Sequence, residues 1–139
     1  MGLILDTSAL VAWERAAGSG RSGALDPGEE LVLPAIVWAE ALAGVRLAGT
    51  PQRAAQRLAR LEAIRSVTGV EPFDSRMATH YADIFAELQR QGALIPQNDI
   101  QVAATARSLG FAVLAGPNDE SHFRRVEGLV VKVFEATGC

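Results

Sequence analysis

Short apolar runs alternate with amphipathic helical patterns along this chain, and this alternation is the feature that most constrains its fold. The predicted strands span residues 3–5, 31–33, 70–73, 111–115 and 129–134, and they are continuously apolar except for Glu71, Pro72 and Lys132. Continuous apolar runs of this length are typical of strands buried on both faces, as in a parallel sheet covered by helices. The pattern therefore predicts an α/β fold, a three-layer α/β/α sandwich with a mainly parallel central sheet.

Capping residues mark the ends of several helical patterns between these runs. We expect Ser8 to cap a helix over residues 9–17, and Pro34 to lie in the first turn of the next helix. Asp74 begins and Gly92 ends the most regular pattern. Its apolar face is expected to consist of Met77, Tyr81, Ile84, Phe85 and Leu88.

Two further helices and one loop complete the predicted layout. One helix starts at Thr50 and Pro51, and another covers residues 97–109 with Gly110 as its terminator. The inward residues of the second helix are expected to be Ile100, Ala103, Ala104 and Ala106. The glycine- and proline-containing stretch over residues 18–30 is interpreted as a surface loop inside a single domain, residues 1–139.

Several classes of protein are excluded by simple counts. The chain has 139 residues and one cysteine, Cys139, so it forms no internal disulfide and no cysteine-based zinc site. No apolar run approaches the ~18 residues that a membrane span needs. Asp6 interrupts the first apolar run and no basic segment precedes that run, so a signal peptide is not expected. We therefore expect a cytoplasmic protein.

Four acidic residues occupy positions that suggest chemistry. Asp6 ends the first apolar run, Asp99 lies in the first turn of a helix, Asp119 follows a late strand, and Glu40 lies within an almost wholly apolar helix. Taken singly, such aspartates are usually caps or turn formers. A parallel sheet, however, gathers strand exits at one edge. Converging carboxylates without cysteine favour Mg²⁺ or Mn²⁺ and phosphodiester chemistry.

These acids lie in segments that resemble the PIN-domain family, specifically the VapC-like toxins of bacterial toxin–antitoxin pairs. The similar segments are Leu3–Leu10, Leu33–Gly44, Asn98–Ala106 and, more weakly, the stretch from Asn118 to Leu129. No one of these motifs is specific. Four such motifs in the family's order, spread along nearly the whole chain, are a strong signal.

The resemblance implies a Mg²⁺- or Mn²⁺-dependent endoribonuclease that hydrolyses RNA phosphodiester bonds with metal-activated water and leaves a 5′-phosphate and a 3′-hydroxyl. Asp6, Glu40 and Asp99 match the family's three best-defined catalytic and metal-binding acids. Asp119 matches the fourth, although Asn118 or Glu120 could fill that position because the loop is one residue longer than usual. Ser8 matches a hydroxyl that contacts the metal ligands or a metal-bound water.

Arginines supply nearly all of the positive charge, since Lys132 is the only lysine among 13 basic residues. The formal net charge of −3 becomes +1 when the four acids are left out, so the remaining surface does not repel RNA. The candidate phosphate contacts are Arg15, Arg21, Arg124 and Arg125, against the simpler interpretation as surface arginines. For His122 we expect packing or a bond to the backbone.

A VapC-like chain also implies a small VapB-like antitoxin that covers the acidic groove. The helical pair over residues 35–65 resembles the family's clamp for that partner. Its apolar residues could serve the antitoxin, a homodimer or internal packing, and an amphipathic stripe does not distinguish these: Val45, Leu47, Leu58 and Leu61.

Two other functions stay open for the same fold. A housekeeping RNA-processing PIN nuclease would share the acids, and a small upstream gene for a DNA-binding protein would favour the toxin instead. A PIN fold could also be a non-catalytic binding module, although intact Asp6, Glu40 and Asp99 argue against it. A receiver domain and a haloacid-dehalogenase-like phosphatase are disfavoured, because Asp6 has no acidic neighbour at the required positions.

Overall fold

A computed structural model of the chain describes residues 2–19, 22–23 and 28–137. Within these ranges the strands are β1 (Leu3–Leu5), β2 (Ser22–Gly23), β3 (Leu31–Pro34), β4 (Gly69–Glu71), β5 (Ala112–Ala115), β6 (Val131–Val133) and β7 (Ala136–Thr137). The helices are α1 (Thr7–Gly18), α2 (Ala35–Arg46), α3 (Pro51–Arg65), α4 (Ser75–Gln91), α5 (Gln97–Leu109) and α6 (Glu120–Arg124).

The main sheet has five strands in the order β4-β3-β1-β5-β6, and every neighbouring pair is parallel. All residues of β1 and β5 are buried. Successive side chains of a strand point to opposite faces of its sheet, so complete burial means that both faces are covered. The predicted sandwich of helices around a parallel sheet is confirmed.

Local capping signals place most helix ends correctly. Asp74 accepts a hydrogen bond from the Met77 N–H at 3.0 Å and starts α4 as expected. Gly92 ends this helix in the left-handed conformation at φ 64°, which glycine adopts without steric cost. The predicted bounds of α5 are also confirmed, and its four inward residues are fully buried.

Other boundaries differ from the sequence prediction. Asp6, not Ser8, caps α1, so this helix begins two residues earlier than expected. Pro34 is the last residue of β3 and precedes α2 instead of lying in its first turn. The strand predicted over residues 70–73 is shorter and begins one residue earlier, and the one predicted over 129–134 is shorter, because the remaining residues form no ladder with a neighbouring strand.

Two predictions about surface segments are wrong in part. The predicted surface loop over residues 18–30 contains β2, which pairs antiparallel with β7 near the other end of the chain. A contact between such distant segments leaves no local pattern in a sequence. Phe85, placed on the apolar face of α4, is 37% exposed and stacks on Tyr81 instead of entering the core.

The apolar residues of α2 and α3 divide between two environments. Val45 and Leu61 are buried in the core, and Leu58 packs against it, so these side chains serve internal packing. Leu47 is 84% exposed and remains available to a partner. In the part of the chain that the structure describes, no helix is long and apolar enough to span a membrane.

A partly buried ion pair joins α1 to α3. Glu14 is 5% exposed and accepts hydrogen bonds from Arg57 Nε at 2.8 Å and from Arg57 Nη2 at 3.3 Å. Arg60 lies 3.7 Å from the same carboxylate. Removing the Glu14 charge leaves the side chains of Arg57 and Arg60, which are 29% and 37% exposed, without the carboxylate that both contact.

We therefore expect Glu14→Gln to lower the free energy of unfolding by about 2–3 kcal/mol, measured by urea denaturation. Glu62→Gln is the matched control, because Glu62 is an exposed residue of α3. An equal effect of the two substitutions would show that the ion pair does not stabilise the fold.

Candidate active site

The strand order creates a crevice at the carboxyl edge of the sheet. From the central strand β1, the chain first builds β3 and β4 on one side and later β5 and β6 on the other. Parallel sheets bind ligands where the strand order reverses in this way. A cleft of about 520 Å³ lies there, lined by Asp6, Thr7, Ser8, Val11, Ala12, Arg15, Glu40, Asp99, Gly116, Pro117, Asn118, Asp119 and Phe134. We call it the acidic cleft.

Asp6 is the most buried acid of the acidic cleft, at 1% exposure. Its Oδ2 accepts hydrogen bonds from the Ser8 hydroxyl at 2.6 Å and from the Ser8 N–H at 3.2 Å. The Ser8 hydroxyl in turn accepts a bond from the Gly116 N–H at 2.9 Å. Ser8 thus connects the end of β1 to the end of β5.

Gly116 permits this close approach. A Cβ at this position would lie 3.0 Å from the backbone oxygen and from the Cβ of Ser8. Any larger residue would push the β5 exit away from Asp6. The sequence gives no signal for this requirement, because it depends on a neighbour 108 residues away.

Neighbouring side chains also hold the second and third acids. The Thr7 hydroxyl donates to Glu40 Oε1 at 2.8 Å, across the space between α1 and α2. His122 Nδ1 lies 2.8 Å from Asp99 Oδ2. The expectation that His122 packs or bonds to the backbone is wrong, because its ring contacts a carboxylate of the cleft. The bonds from Thr7 to Glu40 and between His122 and Asp99 are the two contacts that the sequence does not predict, although it places His122 near the site.

The loop after β5 presents two of the three candidates for the fourth position. Asn118 and Asp119 line the acidic cleft. Glu120 does not line it, because it accepts a hydrogen bond from Arg124 Nε at 2.9 Å within α6. Asp119 precedes α6 without a side-chain capping bond, so its carboxylate is available to a ligand.

Of the arginines predicted to contact RNA phosphates, one lines the acidic cleft and two bond elsewhere. Arg15 lines the cleft from α1 and is exposed. Arg124 pairs with Glu120, and Arg125 donates to the Leu94 carbonyl oxygen at 3.2 Å, so neither lines the cleft. Arg21 lies outside the described residues.

The acids of the cleft carry more negative charge than their surroundings compensate. Burial raises the pKa of Asp6, although the bonds from Ser8 oppose the rise and the charge of Asp119 adds to it. Burial raises the pKa of Asp99 to about 6, and the charges of Asp6 and Asp119 add to the rise while the His122 bond opposes it. A cation in the cleft would reverse both effects.

The donor set fits a hard divalent cation by its chemistry, since carboxylate oxygens are the ligands that Mg²⁺ and Mn²⁺ prefer. Among the described residues, however, no three acid, histidine or cysteine side chains are arranged so that they would hold a metal ion as they stand. Three of the carboxylates have an oxygen engaged by Ser8, Thr7 or His122. Like charges without a cation between them also repel one another.

Comparisons with known proteins agree with this fold. The sequence profile of the PIN domain matches residues 3–129, so the chain belongs to the PIN-domain family. Ribonuclease VapC1 of Rickettsia felis is 33% identical over 131 residues, which are 94% of this chain and 95% of that protein. The tRNA(fMet)-specific endonuclease VapC of Shigella flexneri is 32% identical over 100 residues, 72% of each protein. Within the family, the chain therefore belongs with the VapC ribonucleases.

Solved structures place the fold in the same group. VapBC-5 from Mycobacterium tuberculosis, a member of the VapBC family of toxin–antitoxin systems, matches with a TM-score of 0.73 and 28% identity. The match covers 96% of this chain and 98% of that one. The resemblance of the four motifs to this family is confirmed.

The raised pKa of Asp99 has a consequence for stability. Because its folded-state pKa of about 6 lies above the ordinary 3.8, its contribution to stability is present below about pH 4 and is lost as the pH rises through about 6. Without divalent cation, Asp99→Asn should raise the free energy of unfolding by about 1–3 kcal/mol near pH 7.5 and leave it nearly unchanged near pH 4. Urea denaturation in EDTA at the two pH values measures this.

Asp83→Asn, an exposed residue of α4, is the matched control and should have little effect at either pH. A gain for Asp99→Asn of the same size near pH 4 would contradict an electrostatic cause.

Proposed function

We propose that this chain is the ribonuclease toxin of a toxin–antitoxin pair, and that it hydrolyses RNA phosphodiester bonds in the acidic cleft with Mg²⁺ or Mn²⁺. The observation that carries the proposal is the convergence of Asp6, Glu40, Asp99 and Asp119 on one cleft at the carboxyl edge of the sheet. The names of the relatives support ribonuclease activity, since they are ribonucleases and an endonuclease.

The four acids are the residues that would hold the cation. When bound, a divalent cation activates water and stabilises the leaving oxygen of a phosphodiester. The chain's own contribution is to orient the carboxylates. Ser8 donates to Asp6 and opposes the rise in the pKa of Asp6 that burial causes, while Thr7 donates to Glu40 and holds its side chain in place.

Arg15 is the residue best placed to bind the RNA backbone. Its exposed side chain lines the acidic cleft and has no ion pair among the described residues, so its guanidinium is available to two phosphate oxygens. Hydrolysis by water that leaves a 5′-phosphate and a 3′-hydroxyl does not use the 2′-hydroxyl. Preference for RNA must therefore come from binding.

A VapB-like antitoxin is the proposed protein partner. The solved structures of similar fold include members of toxin–antitoxin systems, such as VapBC-5. The exposed Leu47, just after α2, offers this partner an apolar contact, and a basic side chain of the antitoxin would complement the acidic cleft. A homodimer stays a prediction, for which sedimentation of the isolated chain is the test.

The test of the activity is cleavage of a panel of RNAs by wild type and Asp6→Asn, each with Mg²⁺, Mn²⁺ or EDTA. The panel includes tRNAs because one relative is a tRNA-specific endonuclease. We expect cleavage only with cation, and a loss of at least about 100-fold in Asp6→Asn, because this variant removes a charge that the cation needs. Mapping the product ends checks the 5′-phosphate.

Cation binding is measured separately by thermal unfolding with Mn²⁺. At a concentration about 100 times the Kd, binding stabilises the wild type by about 2.7 kcal/mol, and Asp6→Asn should gain far less. Asp83→Asn should behave as the wild type in both assays. A wild type that neither binds Mn²⁺ nor cleaves RNA would sink the proposal and favour a non-catalytic module.

For Arg15→Gln we expect KM to rise about tenfold while kcat changes by less than about threefold, because a phosphate contact made equally in the ground and transition states affects binding alone. The dependence of log KM on log salt concentration should weaken by about one charge. Arg90→Gln, an exposed arginine of α4 outside the cleft lining, is the control. A fall in kcat with unchanged KM would assign Arg15 to the chemical step instead.

A further inference from the structure

The bond between His122 and Asp99 joins two elements that no sequence pattern connects. His122 lies on α6 and Asp99 lies in the first turn of α5. The two atoms are 2.8 Å apart, and the side chains are 30% and 14% exposed, respectively. An ionised carboxylate can only accept hydrogen bonds, so the proton of this bond is on Nδ1. Oδ2 of Asp99 is thereby engaged, and Oδ1 is left for a ligand in the acidic cleft.

The position of the His122 ring is set by anchors on both sides of it. Phe123, the next residue, is fully buried in the core. Arg125 donates to the carbonyl oxygen of Leu94, just before α5. The backbone N–H of His122 donates to the backbone carbonyl oxygen of Asp119 at 3.1 Å. The imidazole is therefore presented to Asp99 by a short helix that can move little without exposing Phe123.

Asp99 needs such a partner because the neighbouring charges oppose its position. Asp6 and Asp119 both interact unfavourably with the ionised Asp99 carboxylate. A freely rotating side chain would turn away from them and out of the cleft. The bond from His122 restrains this rotation, as donors around metal-ligating carboxylates commonly do.

We propose that His122 is a positioning residue, which holds the Asp99 carboxylate towards the acidic cleft and fixes its spacing from Asp119, the residue just before the helix that carries His122. This proposal rests on the function proposed above, in which the cleft binds a divalent cation. His122 acts through Asp99 and contacts neither the RNA nor the cation.

Two substitutions at His122 separate positioning from packing. His122→Leu keeps a side chain of similar bulk but has no donor. His122→Asn keeps an N–H donor near the position of Nδ1. His80→Leu, on α4 and outside the cleft lining, is the control for loss of a histidine.

The primary measurement is Mn²⁺ affinity by isothermal titration calorimetry of the folded proteins, with RNA cleavage as a second readout. We expect His122→Leu to weaken Mn²⁺ binding about 10–100-fold, and His122→Asn to stay within about threefold of the wild type. Saturating Mn²⁺ should restore most of the kcat of His122→Leu, because the defect lies in holding a ligand. Thermal unfolding in EDTA shows whether any variant is misfolded.

Each outcome decides between the two proposals. Mn²⁺ binding by the wild type and by His122→Leu with equal affinity overturns the role of His122 and leaves the proposed function intact. Equal losses in His122→Leu and His122→Asn also overturn it, since the donor would then not matter. A wild type that binds no Mn²⁺ overturns the proposed function, and the role of His122 falls with it.

Discussion

A carboxylate with 1% exposure at the end of the central strand is the constraint on which the site depends. Asp6 follows β1, where the parallel order of the sheet leaves a crevice and where burial opposes ionisation. The Ser8 hydroxyl offsets part of the cost of burial by donating a hydrogen bond to Asp6, and it accepts a hydrogen bond from the Gly116 N–H. One hydroxyl therefore stabilises the charge and holds the exits of β1 and β5 together. The lack of a side chain at Gly116 is what lets the two exits come so close.

The other acids of the cleft follow the same principle with different donors. Glu40 is held by Thr7 from α1, and Asp99 by His122 from α6, so each of these two carboxylates is oriented by an element other than its own. Concentrated like charge destabilises the fold without a cation, and the remainder of the molecule offsets this cost through the fully buried β1 and β5 and the ion pair between Glu14 and Arg57. Function and stability thus compete at the carboxyl edge of the sheet.

Much of the fold could be predicted because its signals are local. Asp74 caps α4 through an N–H three residues away, and Gly92 ends that helix by its own backbone freedom. The predicted cap of α1 is wrong because Asp and Ser are both good capping residues. In the structure the buried Asp6 accepts a hydrogen bond from the Ser8 N–H and so caps the helix. Phe85 is exposed although the pattern places it on the apolar face of α4. Helical spacing predicts an apolar stripe but not the width of the surface that covers it. The strand Ser22–Gly23 was missed because its partner lies near the opposite end of the chain.

By itself, the sequence determined the order of the five main-sheet strands and of helices α1 to α5 along the chain, and the placement of Asp6, Asp99 and Asp119 at strand exits and helix starts. Those features follow from periodicity and capping, which act over a few residues. Only the tertiary structure decided which donor holds each carboxylate, that Asn118 and Asp119 but not Glu120 reach the acidic cleft, and that Arg15 lines it while Arg124 and Arg125 bond elsewhere. The physical reason is that these contacts join residues far apart in the chain, and their geometry exists only after the sheet has brought its strand exits together.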